Sequence, residues 1–128
     1  MSIERYMVSG ELEPESHCCH VVKAVGFVWL SGMVGMKADG TIPEGTVEQF
    51  EIALKTIDTC LREASGNPSQ IVKVQIFMTD ISERSSINPI RIEYFGDHKP
   101  ASTLVEVSAL VDPRMRVEIE AVAYIGNK

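Results

Sequence analysis

Basic charge is scarce in this sequence. Lysine and arginine total 12 against 18 aspartates and glutamates, a net charge of −6. A general nucleic-acid binder needs a basic face to displace counterions from phosphates, so that class is excluded. Long apolar runs are also missing, and none approaches the roughly 18 residues of a membrane-spanning helix. The opening stretch, Met1–Glu15, has no apolar core that could serve as a secretory signal, so a cytoplasmic protein is expected. Cysteine is rare and odd in number: Cys18 and Cys19 are neighbours and Cys60 stands apart. A disulfide framework is not expected from that pattern.

What remains is the composition of a globule with a core: 45% hydrophobic and 23% charged over 128 residues. One domain spanning residues 1–128 is expected. The clearest element is a helix over Thr46–Ser65. Val47, Phe50, Leu54, Ile57, Leu61 and Ala64 recur at spacings of 3 and 4, giving one apolar stripe. Thr46 with Gln49 reads as a capping box, and Gly66 as a left-handed stop. Glu51 with Lys55 and Asp58 with Arg62 read as i,i+4 pairs on the outer face. A second helix is predicted at Ile87–Phe95, capped by Asn88 with Pro89 in its first turn, after a short turn at Ser82–Ser86.

Alternation of apolar and polar residues predicts strands at Phe27–Ser31, Val72–Asp80, Ser102–Leu110 and Arg116–Tyr124. Weaker signals fall near Arg5–Ser9 and Cys19–Val25. Each strand is apolar on one face and mixed on the other, which fits a sheet with helices on one side. The mixed face is read as Phe77, Leu104, Val122 and Tyr124 beside Glu106, Glu118 and Glu120. Two helices cover only one side of a sheet, so a second subunit is expected on the other. That predicts a homo-oligomer with carboxylates near its subunit boundaries.

The run Lys99-Pro100-Ala101-Ser102-Thr103-Leu104-Val105-Glu106-Val107, followed by Val117-Glu118-Ile119-Glu120-Ala121-Val122-Ala123, resembles the Rid family. These are the reactive intermediate deaminases, YjgF-type proteins formerly called L-PSP endoribonucleases. Phe27-Val28-Trp29-Leu30-Ser31-Gly32, the stretch from Val72 to Asp80, and Ile87-Asn88 before Tyr94-Phe95 add to the match. The resemblance implies an α+β, chorismate-mutase-like fold, with a six-stranded mixed sheet and two helices on one face. It also implies a homotrimer whose sheets form a barrel with clefts between subunits. Active members hydrolyse enamines and imines such as 2-aminoacrylate to oxo acids and ammonia, without a cofactor or metal. An imine carbon is already electrophilic, so such a site needs an anchor for the substrate and a positioned water.

Residue by residue, the resemblance assigns Glu118 to the water-orienting glutamate, Ser31 and Gly32 to a backbone corner of the cleft, and Asn88 to a cleft-side asparagine. A cleft-lining tyrosine of the family falls near Cys18. The family's carboxylate-binding arginine follows its Pro-Ala pair, and here that position is Ser102. A hydroxyl anchors a carboxylate less strongly than a guanidinium fork, by roughly 1–2 kcal/mol or more. Arg116, Arg114 and Lys99 are the substitutes considered, with Arg116 first.

Blander readings stand beside these. Glu118 could be a solvated or interfacial strand carboxylate, perhaps paired with Arg116, and Glu106 and Glu120 are read as structural. His17-Cys18-Cys19-His20 looks like a metal cluster, but neighbours on a strand point to opposite faces, so no metal is expected. Cys60 is read as core filler, and Trp29 as packing between sheet and neighbouring subunit. Two functions follow: a hydrolytic deaminase of an enamine or imine, 2-aminoacrylate-like or aminomuconate-like, or a non-catalytic trimer binding a small metabolite as sensor or accessory factor. Endoribonuclease ranks last, because no basic or aromatic surface supports RNA binding.

Overall fold

The computed structural model describes residues 2–126. Six strands form one mixed sheet: β1 Glu4–Tyr6, β2 Val21–Ala24, β3 Phe27–Val34, β4 Ile71–Met78, β5 Ala101–Glu106 and β6 Val117–Tyr124. Their spatial order is β1-β2-β3-β6-β4-β5. Only β4 and β5 run parallel; the other neighbours are antiparallel. Helix α1, Thr46–Glu63, leads from β3 to β4, and α2, Arg84–Phe95, crosses from β4 to β5. This is the expected α+β architecture.

Alternation along β6 sets the two faces. Val117, Ile119, Ala121 and Ala123 are buried against α1, while Glu118, Glu120 and Val122 are half-buried and Tyr124 is exposed on the reverse face. Phe50, Ile57 and Leu61 of α1 are fully buried in the same core. The register aligns Phe27 with Tyr124, Trp29 with Val122, and Phe77 with Glu118 and Val105. The reverse face therefore carries a row of large apolar groups. Trp29 is 41% exposed, Val105 40% and Tyr124 49%.

Several local expectations change. The capping box at Thr46 does not form, because Gly45 is the cap and Thr46 is already helical. The Thr46 hydroxyl instead donates to Glu83 and accepts from Arg116. Gln49 is fully buried and donates to the carbonyls of Pro43 and Arg114, while accepting from the Arg116 N–H. These side chains tie the start of α1 to the start of β6, which outweighs local capping.

At the far end of α1 the left-handed residue is Ser65, at φ +70°, not Gly66. Ser65 N–H bonds to the Arg62 carbonyl and Gly66 N–H to that of Leu61, a Schellman closure. Gly66 serves close packing instead, since a Cβ there would lie 2.5 Å from Leu61 Cδ1. On the surface, Arg62 reaches Asp58 at 2.8 Å, whereas Glu51 and Lys55 form no ion pair.

Helix α2 starts three residues earlier than predicted, so Asn88 and Pro89 lie inside it and Asn88 is not a cap. The predicted turn at 82–86 is divided between a 3-10 turn at Ile81–Glu83, capped by Asp80, and the first turn of α2. Pro89 removes the bond to the Ser85 carbonyl, which is tolerable on an exposed stretch. Strand β4 carries a bulge at Val72, which throws that side chain out to 44% exposure and buries Ile71 instead.

Strand β5 ends at Glu106 rather than Leu110. Its ladder stops with Val107 N–H on the Met78 carbonyl, after which the chain must reverse to enter β6. Parallel pairing with β4 also reassigns two residues. Leu104 opposes Ile76 and Glu106 opposes Met78, so both belong to the helix side, and Val105 replaces Leu104 on the open face. Glu106 accepts the Ile81 N–H there.

Candidate functional site

The site begins with a second bulge. Between Leu30, opposite Ala121, and Met33, opposite Ile119, strand β3 holds one residue more than β6. Ser31 and Gly32 occupy that irregularity. Gly32 has no side chain to occupy the space beside it, and Glu118 fills that space: a Cβ on Gly32 would lie 2.2 Å from Glu118 Oε2. The bulge thus creates a seat for a carboxylate directly on the backbone.

Glu118 on this seat accepts no hydrogen bond and forms no ion pair among the described residues. Burial, and secondarily the charge of Glu120, push its carboxyl above the usual glutamate value. A carboxylate without a neutralising partner in a partly dry site is suited to take a proton from water and return it.

Glu118, Ser31, Gly32 and Cys18 line one cleft of about 360 Å³. Its outer wall is the segment Glu11–Ser16, and Met33, Met36, Val111 and Met115 supply apolar surface. No lysine or arginine lines it among the described residues; Glu11, Glu13, Glu15 and Glu118 make it acidic. Ser31 is committed to structure, since its hydroxyl donates to the Cys19 carbonyl at 2.6 Å and its N–H to the His20 carbonyl.

The wall has an internal tether that sequence reasoning missed. His20 is 2% exposed. Its Nδ1 accepts the Val8 N–H at 2.8 Å, so Nε2 carries the proton and donates to the Leu12 carbonyl at 2.9 Å. The apparent cluster at 17–20 comes apart accordingly: His20 turns inward, Cys18 faces out, and Cys19 Sγ contacts the Val21 carbonyl. Among the described residues, no three His, Cys, Asp or Glu side chains converge on a metal position.

Asn88, Ser102, Arg114 and Arg116, all candidates from the sequence, lie outside the cleft of a single chain. Asn88 is exposed on α2. Arg116 does not reach Glu118: its Nε donates to Thr46 at 2.7 Å and its Nη2 pairs with Glu83 at 3.1 Å. Arg114 is likewise taken by Asp112 at 2.9 Å. Ser102 accepts a hydrogen bond from Arg91 Nη2 at 2.7 Å. Sequence proximity does not reveal Arg91, which stands eleven residues before Ser102 and on another element.

A mixed sheet of this strand order, with two crossover helices on one face, defines an α+β class of protein. The chain belongs to the family described as Endoribonuclease L-PSP, which it matches over residues 9–125. It is 32% identical over 105 residues to a RutC family protein of Pyrococcus abyssi, covering 80% of this chain and 82% of that protein. It is 34% identical over 102 residues to the 2-iminobutanoate/2-iminopropanoate deaminase of Mus musculus, covering 77% and 74% respectively. Among solved structures, the Rid family protein YyfA of Yersinia pestis superposes with a TM-score of 0.90 at 29% identity, over 97% of this chain and 100% of that one.

Proposed function

We propose that this protein is a Rid-type hydrolytic deaminase, working in a homotrimer on a small enamine or imine. The observation that carries the reading is Glu118: an unpaired, half-buried carboxylate held over Gly32 inside a cleft. Similarity to proteins named 2-iminobutanoate/2-iminopropanoate deaminase supports it. In the proposed reaction, Glu118 takes a proton from water as the oxygen attacks the imine carbon. The C=N bond becomes a single bond and a carbinolamine forms. Glu118 returns that proton to the nitrogen, completing the carbinolamine, then takes the proton of the new hydroxyl and passes it to the amino group as the C–N bond breaks, so that ammonia leaves a carbonyl behind. Water and imine are consumed, oxo compound and ammonia are produced, and the carboxylate is regenerated.

The exposed row Trp29, Val105 and Tyr124 supports oligomerisation, because an apolar face of that extent is unfavourable in water. A second reading, a trimer that binds a metabolite without turning it over, is favoured by one feature: among the described residues, the cleft of a single chain offers no cation to an acidic substrate.

The test is ammonia release from imines generated in situ. Glu118→Ala is expected to lower kcat/KM by about 10²–10⁴-fold, the usual worth of a positioned general base. Wild type indistinguishable from buffer across a panel of 2-aminoacrylate and larger imines would overturn the proposal in favour of the binder. So would a variant as active as wild type.

A further inference from the structure

Among the described residues Arg91 has no counter-ion, as is also true of Arg5 and Arg84, but only Arg91 is held by Ser102. Three other arginines pair with carboxylates: Arg62 with Asp58, Arg114 with Asp112, and Arg116 with Glu83. Arg91 is half-buried on α2, yet among the described residues its one side-chain partner is the neutral hydroxyl of Ser102, at 2.7 Å from Nη2. Burial lowers its affinity for its proton, and no nearby carboxylate offsets that. A guanidinium has five N–H donors in a planar fork, so most remain available. A partly desolvated fork of that kind is suited to a carboxylate taken in bidentate fashion.

Within one chain Arg91 cannot serve Glu118. Ser102 pairs with Val74 on the helix side of the sheet, whereas Glu118 pairs with Phe77 on the reverse side. Phe77 in turn pairs with Val105, three residues along β5 from Ser102. Three residues at about 3.3 Å and two strand spacings of about 4.8 Å separate the sites by roughly 14 Å, with the sheet between them. A small imino acid does not span that gap. Arg91 and Ser102 do lie at the free edge of the sheet, where β5 has no outer neighbour. Among the described residues, no cation lines the cleft holding Glu118. Each half lacks what the other half carries.

We propose that Arg91, steadied by Ser102, binds the carboxylate of the substrate and presents it to Glu118 of a second copy of this chain. This rests on the deaminase reading of Glu118 and deepens it by naming an acidic substrate and its anchor. Ser102 is a positioning residue: its oxygen fixes one arm of the fork and leaves the other facing outward.

Three measurements on the intact oligomer decide it. First, binding of 2-oxobutanoate, a product-like carboxylate, is read by calorimetry on wild type and Arg91→Ala. Loss of binding in the variant supports the anchor even if no imine is turned over, so it survives failure of the deaminase reading. Equal binding, or no binding by wild type, overturns it. Second, where turnover is seen, Arg91→Ala is expected to lower kcat/KM for a carboxylate imine by about 10–100-fold, with little change for its methyl ester. Arg91→Lys should recover part of the loss, and Ser102→Ala should raise KM more than it lowers kcat. Equal losses on acid and ester would overturn the assignment. Third, Arg91→Ala and Glu118→Gln chains are co-expressed. A site shared between copies predicts recovery of about one quarter of wild-type activity, because random mixing joins intact halves at that frequency. No recovery in assembled mixed oligomers would overturn the shared site.

Discussion

Gly32→Ala isolates the seat of Glu118 from every other feature of the cleft. The added Cβ would lie 2.2 Å from Glu118 Oε2 and 2.9 Å from its Cδ, whereas ordinary contact begins near 3.4 Å. The carboxylate oxygen must therefore retreat by roughly 1 Å, and misplacement on that scale costs about 10²-fold in rate. Gly32 does not have a positive φ, so alanine is not strained in the backbone there. The clash meets the end of a flexible side chain, so folding should survive. The expected result is near-wild-type Tm and oligomeric state, with kcat/KM for a small imine lowered about 100-fold. Glu118→Asp in the Gly32→Ala background shortens the side chain by one methylene and should recover part of the loss. Full activity in Gly32→Ala, beside an inactive Glu118→Ala, would refute the idea that the glycine positions the carboxylate.

Two further outcomes follow from the same structure. Burial and Glu120 raise the folded-state pKa of Glu118, so the native state holds a proton that the unfolded chain releases. Its contribution to stability is complete below the ordinary glutamate value and is lost as pH climbs past the raised one. Glu118→Gln should therefore gain in Tm over wild type as pH rises through that window, with no such trend below it; a gap independent of pH would contradict this. Among the thiols, burial pushes Cys60 up to about 12, while Cys18 is exposed at the mouth of the cleft. Iodoacetamide should label Cys18 in the folded protein and spare Cys60, read by peptide mass spectrometry. Equal labelling of both would refute the packing of α1.

Periodicity reveals what is repeated, and the fold is mostly repetition. The stripe from Phe50 to Leu61 and the alternation from Val117 to Ala123 located α1 and β6 because burial is the dominant force on each position. It failed where one residue breaks the repeat. The Val72 bulge shifts which side chains face the core, and parallel pairing of β5 moves Leu104 and Val105 to opposite faces. Neither is encoded in local hydrophobicity, because both depend on which strand lies alongside. Capping failed for a related reason. Thr46 and Gln49 have the right spacing for a local bond, but Arg116, seventy residues from Thr46, offers a stronger one.

The same division separates the halves of the candidate site. The resemblance names Glu118, Ser31 and Gly32 at fixed positions and a site near Cys18, and the structure brings these four residues to one cleft. The cation was not, because resemblance directs attention to Ser102 and then to its sequence neighbours. Lys99, Arg114 and Arg116 are near that position or the last strand in sequence, but Arg114 and Arg116 already hold carboxylates. Arg91 comes to Ser102 only because α2 crosses back over the sheet to enter β5 in parallel with β4. In the proposed site, the helix that the topology lays beside β5 supplies the charge that Ser102 does not carry. Among the described residues the absence of a counter-ion separates Arg91 from Arg62, Arg114 and Arg116, and its bond to Ser102 separates it from Arg5 and Arg84, which pair with no carboxylate either.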